Sequence, residues 1–301
     1  MPIKAPKSKN EQSAVLTQLL LGSLVRGASA EVLDWASPRL TQHMRELRPR
    51  SGEVIYRQGE HGASFYVLAE GRLRLETGSA SRSLCGPRET LGWLDATLRR
   101  PRTHTAIAES NVTLLEVPVE DLRAVAEDSL ELSMALIADA ARRLVEIRNR
   151  HRPHRGETSG KPIFDPVCGG SDVTRALAVL RRVNCFANAR MQSLVSLSEH
   201  ARAVTVGAGD SFDAGNGALW VVSRGETTCH DRVAGPGGLV SDVETFLFER
   251  DEPRPCRALV NVNLIRIDLE DWINVAEEHF DIVQSTLIWI GCEQELLQFY
   301  A

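Results

Sequence analysis

The sequence predicts an α+β chain in which a β-rich body with helices at both ends occurs twice. Three observations lead there. Residues 13–47 carry Leu16, Leu19, Leu20 and Leu24, then Val32, Leu33 and Leu40, at the spacing of amphipathic helices. From Gly52 the texture changes to short β-rich pieces separated by Gly52, Gly59, Gly62 and Gly71, as turns between short strands require. The second half then echoes the first. PRTHTA at 101–106 matches PRPCRA at 253–258, an offset of 152; VEDL at 119–122 matches LEDW at 269–272, and VAED at 125–128 matches VAEE at 275–278, each at an offset of 150. Gly209-Asp210 echoes Gly52-Glu53, and Arg224-Gly225-Glu226 echoes Glu70-Gly71-Arg72. Ordered matches at nearly one spacing read as a tandem duplication, the two-residue slip fitting a shortened turn.

Taken in order, residues 1–12 read as a flexible tail. Lys4, Lys7 and Lys9 before AVLTQLLLGSLV, with Ala28-Ser29-Ala30 after it, mimic a secretory leader. Thr17 and Gln18 interrupt the apolar run and Arg26 stands before the small residues, so the segment reads as an amphipathic first helix instead. Leu73 and Leu75 alternate with Arg72 and Arg74, a half-buried strand. Val112 to Val117 reads as another strand, and the pattern returns to helix after Pro118. A longer helix over 129–149 carries Met134, Ile137, Ala141 and Leu144 as an apolar seam. That seam fits packing on its own domain or a homodimer contact. Residues 150–171, RHRPHRGETSGKPIFDPVCGGS, have the composition of an interdomain linker. The expected division is a first domain at 13–150, a linker at 151–171 and a second domain at 172–301.

A length of 301 residues holds two ordinary domains with their own cores. The net charge of −5 argues against a general nucleic-acid binder, which needs a basic excess. Cys85, Cys168, Cys185, Cys229, Cys256 and Cys292 form no CxxC pair. They read as small core residues of a protein in a reducing, cytoplasmic compartment. No run of 18 apolar residues suggests a membrane span. GxSxG, HExxH and Walker patterns are absent, and Cys229-His230-Asp231 reads as an ordinary loop, so no enzyme is expected.

GEVIYRQGE, FYVLAEGRL, LGWLDATLRRPRTHTA and the following strand and VEDL together resemble the cyclic-nucleotide-binding domain family. This family is shared by catabolite activator proteins, protein kinase A regulatory subunits and gated channels. The resemblance covers about 15–150 and, more weakly, about 172–301. It implies two β-roll (double-stranded jelly-roll) domains, each flanked by helices. It also implies a phosphate site for cyclic AMP or another cyclic nucleotide. A turn at Gly92 would let the amides of 92–96 converge on an anion, and Arg102 would offer a planar fork to two phosphate oxygens. Thr103 would add a hydroxyl or amide. The alternative for Arg102 is a tie between strands and a nearby carboxylate.

The sequence also departs from the family pattern. Trp93 stands where the family has a glutamate for the ribose hydroxyl. Asp95 stands where it has a small residue, and Ala96 follows. Trp93 fits core or lid packing or a stack on a base. A carboxylate at 95 repels a phosphate unless it points away. His104 fits a surface histidine or a pH-sensitive neighbour of the phosphate. In the second copy Arg254 keeps the arginine's place, but LVSDVETFLFERDE before it is longer and acidic, so that site reads as degenerate. No helix-turn-helix follows either copy, and the N-terminal tail holds no kinase pseudosubstrate. The expected function is that of a non-enzymatic regulator with tandem cyclic-nucleotide-binding-like domains. It would act on a protein partner, under the influence of a phosphate ligand in the first domain or as a ligand-independent scaffold.

Overall fold

The computed structural model describes residues 25, 28–78, 80–85, 89–150, 172–215, 217–229, 232–240 and 255–299. The chain divides into two compact units, Met1–Leu136 and Ile137–Ala301. The expected tail, most of the first helix and the 151–171 linker lie outside the described residues.

The first unit opens with α1 (Ala30–Thr41), whose first turn is capped by the Ser29 side chain accepting from Val32 N at 3.2 Å. Eight strands follow: β1 (Arg45–Leu47), β2 (Val54–Tyr56), β3 (Ser64–Glu70), β4 (Arg72–Thr77), β5 (Ala80–Cys85), β6 (Thr90–Leu91), β7 (Thr105–Ala108) and β8 (Thr113–Pro118). The short helix α2 (Trp93–Thr97) sits between β6 and β7, and α3 (Val119–Glu127) and the start of α4 (Leu130–Arg150) close the unit. The strands form two antiparallel sheets, β1-β8-β3-β6 and β2-β7-β4-β5, the β-roll that the resemblance implies.

Alternation in β3 sets the two faces of the roll. Phe65, Val67 and Ala69 cluster with Ala96, Leu115, Val117 and Val119, with Met44, Trp93 and Leu122 packed against them. Tyr66 and Leu68 point the other way. Leu73 and Leu75 are buried, at 0% and 4% exposure, as their alternation with arginines predicts. The β3–β8 register shifts between Leu68 and Glu70, a β-bulge.

Ser29 N donates to Glu131 Oε1 at 2.8 Å, and hydrogen bonding from Ser29 holds that carboxyl below its ordinary range. A carboxyl lowered by folding stabilises above its unfolded pKa and loses that effect as pH falls through the lower folded value. Glu131→Gln should therefore lower the melting temperature slightly at neutral pH. The difference from the parent should vanish in melts run below the ordinary carboxylate range, about pH 4.

In the second unit the later part of α4 is tied to the last helix. Gln294 Nε2 donates to Ala140 O at 2.7 Å, and Arg148 pairs with Glu293 at 3.4 Å. Ile137, Ala141 and Leu144 are buried within the chain, and Met134 is half-buried. The apolar seam is thus largely covered without a second copy.

Next come α5 (Asp172–Leu180), a 3-10 turn (Asn184–Phe186) and α6 (Met191–Glu199). The strands are β9 (Arg202–Val206), β10 (Ser211–Asp213), β11 (Ala218–Arg224), β12 (Thr227–Cys229), β13 (Arg232–Ala234), β14 (Pro255–Ala258) and β15 (Val262–Asp268). Helices α7 (Leu269–Glu278) and α8 (Phe280–Phe299) complete the unit, around the fully buried Trp272. The sheets are β9-β15-β11, extended by a bridge from Val221 to Leu239, and β10-β14-β12-β13. Strand by strand they repeat the first unit, down to a register shift between Val222 and Arg224 where β3 has its bulge.

The register also corrects the spacing read from the sequence. Gly52 N donates to Ala108 O and Gly209 N to Ala258 O; Ala108 N donates to Glu53 O and Ala258 N to Asp210 O. These pairs match Ala258 to Ala108, an offset of 150, not to Ala106. There is no two-residue slip. Arg254, expected to keep the arginine's place in the second copy, lies outside the described residues.

A second correction concerns the cysteines. Cys229 and Cys256 stand directly opposite one another on β12 and β14 and are joined as a disulfide. A sequence separation of 27 hid the pair, and the expectation of separate core thiols fails there. Cys185 does conform: it is a buried free thiol whose pKa burial pushes up.

Candidate functional site

The site grows from the β6–α2 turn. Gly92 caps α2 with φ 74°, a left-handed conformation that glycine adopts without strain. Its carbonyl accepts from Ala96 N at 3.0 Å, so the Ala96 amide serves the helix. The amides of Trp93, Leu94 and Asp95, in the first turn, have no acceptor within so short a helix.

Arg102 reaches this turn from the loop before β7. Its main chain is pinned to the loop after β2: Arg102 N donates to Glu60 O at 2.8 Å and Gly59 N to Arg102 O at 2.9 Å. Its side chain is 3% exposed. Nη1 donates to Gly92 O at 2.7 Å and Nη2 to Ser64 O at 2.6 Å. The guanidinium lies 4.6 Å from the ring centre of Tyr56 and 5.9 Å from that of Tyr66, which are themselves stacked at 5.8 Å. A Cβ on Gly92 or Gly62 would collide with the guanidinium, so both glycines leave room for it. Among the described residues no carboxylate comes within ion-pair distance of Arg102. A buried charge is ordinarily paired; here two carbonyls and two aromatic faces hold it, and its remaining donors meet no acceptor among the described residues. The tie to a carboxylate weighed from the sequence is not what the fold builds.

Asp95, 2% exposed, is turned back on the loop that carries Arg102. Oδ1 accepts from Arg100 Nε at 2.7 Å, and Oδ2 accepts from Thr103 N at 3.2 Å and Thr103 Oγ1 at 3.3 Å. Thr103 Oγ1 also lies 3.1 Å from His104 Nδ1, and His104 Nε2 lies 2.5 Å from Tyr56 Oη. A carboxylate only accepts, so the Thr103 proton goes to Asp95. His104 Nδ1–H then donates to Thr103, and Tyr56 O–H donates to Nε2. The result is one buried chain, Tyr56 to His104 to Thr103 to Asp95, running in a single direction. His104 is therefore a buried link, 6% exposed, and not the surface histidine that the sequence suggested. Burial raises the Tyr56 hydroxyl far above its ordinary pKa; Arg102 opposes this and Asp95 reinforces it. Burial, then Glu116, likewise raises Tyr66.

Trp93 packs on the outer cluster of β3 and β8, on the face away from Tyr66. The indole does not lie across Arg102. Tyr56, Tyr66, Ser64 and Arg100 escaped the sequence reading, and Gly62 was read there only as a turn glycine. The one signal for Tyr66 was its phase, opposite to Phe65 and Val67 in a period-two strand.

In the second unit Phe212 and Trp220 take the places of Tyr56 and Tyr66 by register, with ring centres 5.8 Å apart. They belong to an apolar core with Val222, Val240, Ala258 and Cys256, against which Cys229 packs. Val240 N donates to Trp220 O, as Leu91 pairs with Tyr66 in the first unit. The residues that follow, 241–254, lie outside the described residues.

Residues 46–129 match the family model described as Cyclic nucleotide-binding domain. The chain is 32% identical over 128 residues to the Cyclic AMP receptor protein of Thermus thermophilus, across 41% of this chain and 57% of that protein, so it spans little more than half of that relative's length. Among solved structures it resembles the regulatory subunit of a cAMP-independent protein kinase A from Trypanosoma brucei, with 12% identity, 93% of each chain covered and a TM-score of 0.35. It also resembles the N-terminal domain of a transcriptional regulator from Streptomyces coelicolor A3(2), with 26% identity over 46% of this chain and 99% of the other, and a TM-score of 0.36. Residues 46–129, which hold the Gly92 turn, the Arg102 fork and most of the eight-stranded roll, are thus similar to a cyclic nucleotide-binding domain.

Proposed function

We propose that this chain is a non-enzymatic regulatory protein that acts on a protein partner, and that a cyclic nucleotide or another phosphate ligand binds in its first unit beside Arg102. One observation carries the ligand site: a guanidinium that is 3% exposed, fixed by Gly92 O and Ser64 O, with no carboxylate paired to it among the described residues. An anion placed there would satisfy both the charge and the remaining donors. Asp95 is turned onto Arg100 and Thr103, which meets the condition for a carboxylate to share a loop with a phosphate. The second unit is degenerate in this reading, because aromatic and aliphatic side chains fill the corresponding interior. The net charge of −5 favours a protein partner over DNA. A homodimer through 129–149 would have to use faces other than the buried seam. No described helix is long and apolar enough to cross a membrane. The cytoplasmic setting belongs to the same proposal and must accommodate the Cys229–Cys256 disulfide.

A ligand-independent scaffold is the second reading. It is favoured by Asp95 occupying the Thr103 amide and hydroxyl. Thermal melts with millimolar cyclic mono- and dinucleotides separate the two. A ligand at 100 times its Kd stabilises by about 2.7 kcal/mol, a shift of several degrees that Arg102→Ala should abolish. Absence of any shift at millimolar ligand selects the scaffold.

A further inference from the structure

We propose that Asp95 is a specificity-determining residue: its carboxylate keeps the Thr103 donors from the ligand and limits the site beside Arg102 to singly charged phosphodiesters over doubly charged phosphomonoesters. The inference rests on the reading that an anion binds at Arg102.

Asp95 is an anion already built into the loop. It is 2% exposed, takes Arg100 Nε on one oxygen, and takes both the amide and the hydroxyl of Thr103 on the other. Thr103 directly follows Arg102, so the two donors nearest to the guanidinium along the chain serve a protein carboxylate and not an incoming phosphate. The charge of Asp95 also reaches across the cradle. It acts on the hydroxyl of Tyr56, whose ring lies against the Arg102 guanidinium, and it acts in the sense opposite to Arg102. Any anion beside Arg102 therefore meets the guanidinium together with the Asp95–Arg100 ion pair, a group of one net positive charge in a largely buried setting. There a second negative charge on the ligand gains little from the guanidinium and is repelled by the carboxylate. One ligand charge matches the Arg102 guanidinium, which no carboxylate among the described residues pairs; two do not.

The probes are 3′,5′-cyclic AMP, a monoanionic diester, and 5′-AMP, a monoester that is mostly dianionic at pH 7.5 because its second pKa lies near 6. Asp95→Asn keeps the size of the side chain and an oxygen able to accept from Thr103. Isothermal titration should show the parent preferring the cyclic diester by at least tenfold. In D95N that ratio should shrink at least tenfold, chiefly through tighter binding of 5′-AMP. The unmodified protein supplies a second measurement that needs no variant. On lowering the pH from 7.5 to 5.5, 5′-AMP should gain at least fivefold in affinity relative to cyclic AMP, because it becomes a monoanion. His104, Tyr56, Tyr66, Arg100 and Arg102 face the same cradle, and comparing parent with D95N at one fixed pH keeps all of them unchanged.

An unchanged ratio in D95N, or a parent that prefers the dianion, overturns the role of Asp95. Cyclic AMP binding that disappears in Arg102→Ala would still leave the anion site standing in that case. Failure of the parent and of D95N to bind either probe overturns both.

Discussion

Gly92→Ala should abolish the proposed nucleotide binding and destabilise the first unit by about 2–5 kcal/mol. Two effects add. Gly92 has φ 74°, a conformation that costs a residue with a Cβ about 1–2 kcal/mol. The new Cβ would also collide with the Arg102 guanidinium, and overpacking of a tight site typically costs about 1–3 kcal/mol. The clash falls on the end of a side chain, which ordinarily swings aside at little expense. Arg102 is held where it is, because leaving breaks its bonds to Gly92 O and Ser64 O. The substitution thus acts on the ligand site through the position of the guanidinium. Urea denaturation and nucleotide titration of the variant measure the two losses. A variant within 0.5 kcal/mol of the parent that still binds would show the turn to be dispensable.

Gly225→Ala should be as damaging in the second unit, and Gly71→Ala should match it in the first. Gly71 and Gly225 have φ 94° and 86°, at the turns between β3 and β4 and between β11 and β12. A Cβ at Gly71 would stand 2.5 Å from Asn111 O, and a Cβ at Gly225 would strike Asn261 O in the same way. Here the obstacle is main chain, which cannot rotate away. Each change should cost about 3 kcal/mol or more, the strain of a left-handed Cβ and the backbone clash together. Urea unfolding followed by hydrogen exchange would locate each loss in its own unit. A mild effect at one glycine and a severe one at the other would break the equivalence of the two turns.

Much of the fold was legible because it rests on periodicity and punctuation. The arginine–leucine alternation of 72–75, the strand before Pro118 and the helices after it all follow from side-chain phase. The glycines that mark the turns at 52, 71, 209 and 225 adopt positive φ in the structure. The repeat was legible too, but its local register was not. PRTHTA and PRPCRA match best by letter at an offset of 152, while main-chain hydrogen bonds align the strands at 150. Identity of residue type weighed a proline and an arginine above the ladder, and only the ladder fixes which side chains face inward.

The site was half legible. Gly92 and Arg102 come together as their spacing suggested. The acidic residue at 95 stood out in the sequence, but its direction depended on Arg100 and Thr103 forming a return contact five to eight residues on, which spacing along the chain does not encode. Tyr56 and Tyr66 were invisible as partners because they come from different sheets, and their meeting is a property of the closed roll. Trp93 was noticed for its size, yet its outward face followed from the turn of α2 and not from the identity of its neighbours.

One irregularity dates the rest. The ladder slips between Leu68 and Glu70 in the first roll and again between Val222 and Arg224 in the second. A kink copied once is a simpler history than the same kink acquired twice, so the ancestor already bent its third strand there before the gene segment doubled. The polar interior of one descendant and the greasy interior of the other are then later divergence on an inherited frame.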